Sequence, residues 1–124
     1  MRVHELFTTE QKTEILNACF EGGSNYWIDG AVKILHLPFK KAEEKEEEGL
    51  YASQIAVMDG GKIEIVEDED KTKHTLRLPD FNKGIELCAQ RYPKTFSRLR
   101  EEQYDAGDAD VVLQLAIFGE LIYG

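Results

Sequence analysis

Two neighbouring stretches of the chain, 62–66 and 72–78, alternate between apolar and polar residues. A period of two is typical of β-strands that bury one face, and the charged residues EDEDK between the stretches suit a turn. The pattern therefore predicts a β-hairpin. Leu76 and Leu78 are expected to face inward together on the second strand.

Other stretches repeat apolar residues at the spacing of an α-helix. The first follows Thr8, whose spacing from Gln11 matches a capping box. Two more begin at Pro79 and Pro93, and the last begins at Asp108. Four helices are therefore expected from periodicity and capping alone.

Shorter apolar segments complete the predicted fold. Segment 31–37 predicts a third strand, and 51–58 favours a short helix over a strand. Together the elements predict a single α+β domain over residues 1–124. Its small antiparallel sheet combines the hairpin 62–66/72–78 with strand 31–37, and about four helices pack on it, the C-terminal helix being central.

The most apolar stretch is DADVVLQLAIFGELIYG, which starts at Asp108. Asp108 is predicted to cap a helix that continues through Ile122. Because apolar residues occupy almost every face of this helix, we expect it to be buried in the protein's own core or in a partner subunit. A homo-oligomer is therefore expected. Gly119, inside the predicted helix, indicates a close approach of another backbone.

Composition narrows the classes of partner. The chain has 24 acidic and 15 basic residues and a formal charge of -9. This balance argues against direct binding of nucleic acid phosphates or of anionic membrane surfaces, and it is compatible with a basic protein partner. The polar start and the lack of a long apolar run indicate a cytoplasmic protein without a membrane span. Cys19 and Cys88 are then expected to be buried free thiols.

Metal, cofactor and catalytic motifs receive no support. His4, His36 and His74 are isolated, and the sequence lacks CxxC and HxxxH spacings. Phosphate-binding glycine motifs are also missing. No cofactor, metal or catalytic residue is predicted, which favours a non-enzymatic protein and leaves the question open.

The best candidate for a ligand-binding segment is EGGSNYW together with the nearby Asp29. Glycines allow backbone amides to approach a ligand. The side-chain amide of Asn25 can form hydrogen bonds with a polar edge of the ligand, and the rings of Tyr26 and Trp27 offer stacking faces. The alternative is a helix C-cap followed by core aromatics. The candidate ligand-binding residues are Glu21, Gly22, Gly23, Ser24, Asn25, Tyr26, Trp27 and Asp29.

Acidic residues concentrate in three stretches, 43–48, 67–70 and 101–110. The first belongs to the run KKAEEKEEEG, which has no apolar face and predicts a charged surface insertion at about 38–49. If the three clusters lay on one face of the molecule, they would imitate a nucleic acid backbone, and the protein could inhibit a nuclease. Scattered over the surface, they would only maintain solubility.

Four strings of the chain, EGGSNYW, YASQIAVMDGGKIEI, LPDFNKGIEL and DADVVLQLAIFGELIYG, resemble a group of small, acidic, uncharacterised proteins of bacteriophages and prophages. The charge-rich link at 38–48 departs from that pattern. The resemblance implies a genomic context rather than a mechanism. The leading hypothesis is a non-catalytic accessory protein that binds a host protein with a basic surface. A small-molecule binder or enzyme with its pocket at GGSNYW and an acidic DNA mimic remain the alternatives.

Overall fold

The computed structural model describes residues 2–29, 32–37 and 51–124. Over these residues the chain forms the predicted α+β fold, and none of its helices is long and apolar enough to cross a membrane. The strands are β1 (Lys33–His36), β2 (Lys62–Val66) and β3 (Lys73–Leu76), in the antiparallel order β1-β2-β3. The helices are α1 (Thr9–Ala18), α2 (Ala52–Ala56), α3 (Leu78–Arg91), α4 (Pro93–Arg100) and α5 (Ala106–Phe118). A 3-10 turn (Val3–Leu6) precedes α1, and a π-helical turn (Cys19–Gly23) follows it.

Strands β2 and β3 form the predicted hairpin, with Ile63 opposite Leu76. Both residues are buried, so the alternating pattern does mark the core face. The second strand ends earlier than predicted, because the Asp80 carboxylate accepts a hydrogen bond from the Arg77 N–H at 3.0 Å and caps α3. Leu78 therefore begins a helix, and the prediction that it continues the strand is wrong.

The shorter elements also follow their local patterns. Strand β1 lies within the predicted segment 31–37, and helix α2 lies within 51–58. At the start of α1, Thr8 Oγ1 accepts a hydrogen bond from the Gln11 N–H at 3.0 Å, and Gln11 Oε1 accepts one from the Thr8 N–H at 2.8 Å. This reciprocal pair is the predicted capping box. The charged insertion predicted at about 38–49 lies outside the described residues.

Helix α5 occupies the centre of the packing, as predicted, and contacts α1, α3, α4, β3 and the π-helical turn. Its buried apolar residues are Ala109, Val112, Leu113 and Leu115. Helix α3 approaches α5 so closely that a Cβ atom placed on Gly84 would lie 2.6 Å from the carbonyl oxygen of Val112. Gly84, rather than Gly119, therefore marks the close backbone approach.

Both ends of α5 differ from the prediction. The N-cap is Asp105 rather than Asp108, since the Asp105 carboxylate accepts a hydrogen bond from the Asp108 N–H at 2.8 Å. The helix ends at Phe118 because Gly119 adopts a left-handed conformation, with φ 74°. The prediction that the helix continues through Ile122 is wrong, and Ile122 is 52% exposed.

Cys19 and Cys88 are free and buried, as predicted. Burial raises the pKa of both thiols, that of Cys88 to about 12. Because the thiolate is the nucleophilic form, both residues are unreactive apolar side chains at neutral pH.

An ion pair joins α4 to the first turn of α5. Arg98 donates to both carboxylate oxygens of Asp108, from Nε at 2.8 Å and from Nη2 at 2.6 Å. The bonds to Arg98 hold the pKa of Asp108 below its ordinary value. A depressed carboxyl pKa stabilises the folded state above the unfolded pKa of about 3.9, and that contribution is lost as pH falls through the folded pKa.

Replacing Arg98 by glutamine is expected to lower the melting temperature at neutral pH and to reduce its dependence on acid. The difference in melting temperature between wild type and variant should begin to shrink below about pH 4 and vanish as pH falls through the depressed pKa of Asp108, because protonated Asp108 interacts weakly with a guanidinium. Circular dichroism melts across this pH range measure the effect. Arg100→Gln is the control, since Arg100 donates to the carbonyl oxygen of Leu6, which does not titrate. A constant difference between wild type and Arg98→Gln at every pH would contradict the assignment.

Candidate functional site

A buried carboxylate in the second turn of α5 organises the predicted ligand-binding segment. Asp110 is 4% exposed. Its Oδ1 accepts hydrogen bonds from Ser24 Oγ at 2.6 Å and Trp27 Nε1 at 2.8 Å. Its Oδ2 accepts from Tyr26 Oη at 2.6 Å and Gln114 Nε2 at 2.8 Å. The four donors fill the roughly four acceptor positions of a carboxylate, and together with Asp110 they form the Asp110 cluster.

The backbone between α1 and Asp29 places the three donors on one side. The π-helical turn ends α1, and the Ser24 N–H donates to the carbonyl oxygen of Cys19 at 2.9 Å. The Trp27 N–H then donates to the carbonyl oxygen of Ser24 at 3.1 Å, which closes a tight turn. A Cβ atom on Gly23 would lie 2.4 Å from the carbonyl oxygen of Ala106. Glycine is therefore needed where this turn meets the start of α5.

Gln114 ties the 119–124 segment to the same cluster. Its Oε1 accepts hydrogen bonds from the N–H groups of Ile122 at 2.8 Å and Tyr123 at 2.9 Å. The Tyr123 ring stacks on Trp27 with centroids 5.4 Å apart and planes 10° apart. The Tyr123 hydroxyl donates to Glu67 at the end of β2. Through Gln114 and Tyr123, the cluster thus connects three parts of the chain that are far apart in sequence: residues 24–27, Glu67 and residues 110–123.

The structure divides the sequence-predicted site residues into two groups. Ser24, Tyr26 and Trp27 come together on Asp110, and Gly23 packs against α5 beside them. Trp27 is only 2% exposed, which leaves no free face for stacking on a ligand, whereas Tyr26 is 56% exposed.

The other predicted site residues lie outside the cluster. Glu21, Gly22 and Asn25 are exposed. Asp29 is half-buried, and its carboxylate lies 3.4 Å from the Lys71 amine. Ligand binding at GGSNYW remains a prediction, and the structure gives its buried polar atoms partners within the protein.

Asp110 and Gln114 are the residues that the sequence prediction missed. Acidic residues are generally favoured in the first turns of a helix, so the presence of Asp110 there does not by itself predict that it accepts hydrogen bonds from the EGGSNYW segment. The available signal was spacing: the two polar residues stand four positions apart on a helix that is otherwise apolar from Val111 onward. Buried polar side chains need hydrogen-bond partners, so such a pair predicts a polar contact inside the core.

The acidic clusters contribute unequally to the surface. Asp108 and Asp110, from the cluster 101–110, are buried and hydrogen-bonded. Residues 68–70 are exposed on the turn between β2 and β3. The cluster 43–48 lies outside the described residues. The DNA-mimic hypothesis therefore has fewer exposed carboxylates available to it in the third cluster.

Beside the Asp110 cluster lies an exposed apolar area, here called the Tyr26 surface, formed by Tyr26, Leu121 and Ile122. Their exposed fractions are 56%, 36% and 52%. A Cβ atom on Gly124 would lie 3.3 Å from the Tyr26 hydroxyl, so the 119–124 segment runs alongside this ring. Partial burial and the bond to Asp110 raise the pKa of Tyr26 to about 12. Tyr26 therefore keeps its proton and its hydrogen bond at neutral pH.

The turn after β2 places acidic residues near Tyr123, which follows Ile122 in the chain. The hydrogen bond to Glu67, partial burial and the carboxylates of Asp70 and Glu69 raise the pKa of Tyr123 to about 12. Lys71 pairs with Asp68 at 3.3 Å, which offsets part of the negative charge. The Tyr26 surface is therefore apolar, and carboxylates lie near its chain neighbour Tyr123.

Within the described residues, no three His, Cys, Asp or Glu side chains come together in a way that could hold a metal ion. Comparison of the chain with known proteins found no matching protein family, no matching curated protein and no matching solved structure.

Proposed function

We propose that this chain is a non-catalytic accessory protein that binds a protein partner through the Tyr26 surface. The resemblance to phage and prophage proteins is the ground for proposing a bacterial host protein as partner and the host cytoplasm as the place of action. The observation that carries the proposal is an exposed apolar area whose Tyr26 side chain and Ile122 backbone are tied to α5 by partly buried hydrogen bonds.

Rigidity is what makes this area suitable for binding. Gln114 fixes the backbone N–H groups of Ile122 and Tyr123, and Asp110 fixes the Tyr26 hydroxyl. Ordering flexible side chains and loops opposes association, so a surface that is already ordered binds with less loss of entropy. Tyrosine is also enriched among the residues that dominate interface energetics.

Charge favours a basic partner over a second copy of this chain. The carboxylates of Glu69 and Asp70 lie near Tyr123, the chain neighbour of Ile122, and the whole chain carries a formal charge of -9. Electrostatic complementarity steers association and penalises like-charged partners. A partner with an apolar centre and surrounding Lys or Arg residues fits this charge distribution, while the predicted homo-oligomer would bring like charges together.

The chemistry of the cluster supports a binding role over a catalytic one. A general base needs a free acceptor near the proton that it removes. The acceptor positions of Asp110 are occupied by donors from the protein, and Tyr26 keeps its proton at neutral pH. The cluster is therefore suited to holding a surface in shape.

Replacing Ile122 by serine, alone and together with Leu121→Ser, is expected to weaken partner capture by about tenfold or more, since apolar contacts at the centre of an interface dominate affinity. The immobilised protein would be exposed to bacterial lysate at low and high salt, with bound proteins quantified by mass spectrometry. Ile34→Ser is the matched control, because Ile34 is 38% exposed, close to the 36% of Leu121, and lies on β1.

Support requires a partner that wild type and Ile34→Ser retain, that both Tyr26-surface variants lose, and that high salt releases. Capture that is equal for all four proteins, or that none of them shows, would contradict the proposal. Light scattering on the same samples measures self-association, and a dimer abolished by Ile122→Ser would assign the surface to a second copy instead.

A further inference from the structure

A cleft of about 480 Å³ opens at the end of the sheet where β2 begins. Its walls come from β1, the turn before β2 and the start of α3. The volume suits a small organic molecule. Strand β2 separates this cleft from the acidic turn near Tyr123, a distance of roughly 15 Å at the rise of an extended strand. The cleft is therefore independent of the proposed protein-binding surface.

Three residues that line the cleft form a row across the sheet. His36 pairs with Lys62 between β1 and β2. Lys62 directly precedes Ile63, and Arg77 directly follows Leu76, the residue paired with Ile63. The three side chains thus occupy neighbouring positions at one end of the sheet and line one cleft. Like charges at facing positions of a sheet are destabilising, so the Lys62 and Arg77 pair is unfavourable by itself.

Within the described residues, no carboxylate forms an ion pair with this row. The basic side chains that form salt bridges among the described residues are those of Lys71, His74 and Arg98. Asp59 lines the cleft but makes no contact of 4.0 Å or less with the Lys62 amine or the Arg77 guanidinium. In the part of the chain that the structure describes, Lys62 and Arg77 are thus adjacent cations without a carboxylate at ion-pair distance.

We propose that this cleft binds a small organic anion. Its phosphate or carboxylate group would lie between Lys62 and Arg77, because a guanidinium binds such planar or tetrahedral oxyanions through paired N–H donors and an ammonium adds a second charge. Its apolar part would lie against Leu35, Leu78 and Pro79, which also line the cleft. Binding would remove the repulsion across the sheet and so stabilise the fold.

Phenyl phosphate and benzoate are suitable probes, since each joins an oxyanion to an apolar ring. The melting temperature of the full chain should rise with the concentration of at least one probe, up to about 10 mM, as expected for a ligand that binds only the folded state. The stronger of the two identifies the oxyanion. Inorganic phosphate tests the charged group alone, and sodium chloride at equal ionic strength tests general screening.

Lys62→Gln and Arg77→Gln should each weaken probe binding by about tenfold or more, the value of one charge-assisted hydrogen bond. Without probe, both variants should melt no lower than wild type, because they remove like-charge repulsion. Lys73→Gln is the control, since Lys73 is exposed on β3 and pairs at the opposite end of the hairpin. Absence of any probe-dependent rise in wild type, or an equal response in Lys62→Gln, Arg77→Gln and Lys73→Gln, would overturn the proposal.

Discussion

Replacing Asp110 by alanine is expected to lower the free energy of unfolding by about 2–6 kcal/mol, the cost of leaving two buried donors without an acceptor. The change leaves the hydroxyl of Ser24 and the indole N–H of Trp27 buried without an acceptor. Each unsatisfied buried group costs about 1–3 kcal/mol, so the network, rather than lost packing, accounts for the effect.

Asp110→Asn separates charge from shape. The amide keeps the volume of the carboxylate but has one acceptor oxygen, and its NH₂ group would face at least one donor. We expect a loss close to that of Asp110→Ala. Glu14→Ala is the control, since Glu14 is exposed on α1 and such surface changes stay within about 0.5 kcal/mol. Urea denaturation measures all three, and a loss below about 1 kcal/mol for Asp110→Ala would contradict a network role.

Replacing Gly84 by alanine is expected to destabilise the protein by about 1–3 kcal/mol, as overpacking of a close interface does. The added Cβ would lie 2.6 Å from the carbonyl oxygen of Val112 and 2.9 Å from the Cβ of Ala116, so α3 and α5 would have to separate. Helix propensity predicts the opposite sign, since alanine favours a helix over glycine by about 1 kcal/mol. The sign of the measured stability change therefore shows whether helix propensity or the packing of α3 against α5 dominates at this position.

Gly107→Ala is the matched control for Gly84→Ala. Gly107 is exposed in the first turn of α5, and its added Cβ would meet only the Asp105 carboxylate at 3.3 Å. We expect unchanged or slightly higher stability for this variant. If Gly84→Ala were as stable as Gly107→Ala, the close approach of α3 and α5 would be wrong.

Local patterns account for the elements that the sequence predicts well. The hairpin follows from alternation over 62–66 and 72–78, and the start of α1 follows from the spacing of Thr8 and Gln11. These signals act between near neighbours in the chain, so one stretch suffices to interpret them. The α+β class and the central last helix follow from the same reasoning.

Ends and contacts of the elements depend on longer-range information. The apolar periodicity of the last helix continues past Phe118, and only the left-handed conformation of Gly119 ends it. The Gly84 contact requires knowing which helix faces α3. The cleft residues Lys62 and Arg77 become neighbours through strand register, and the apolar pattern specifies that register only indirectly.

The Asp110 cluster also gives a physical reason to consider EGGSNYW and DADVVLQLAIFGELIYG together. Three donors come from the first string, and the carboxylate that accepts them comes from the second. Neither string can satisfy these buried polar groups by itself. The first string was predicted to bind a ligand, yet the partner that the structure gives its buried donors is the last helix.

The hydrogen exchange of the Trp27 indole N–H tests this joint unit most directly. Trp27 is the single tryptophan of the chain, so NMR gives one indole signal. With the N–H bonded to Asp110 at 2.8 Å in a buried site, we expect exchange as slow as that of the core amides of α5, which requires global opening. Exchange as fast as that of a free indole in the folded wild type would contradict the cluster and the account built on it.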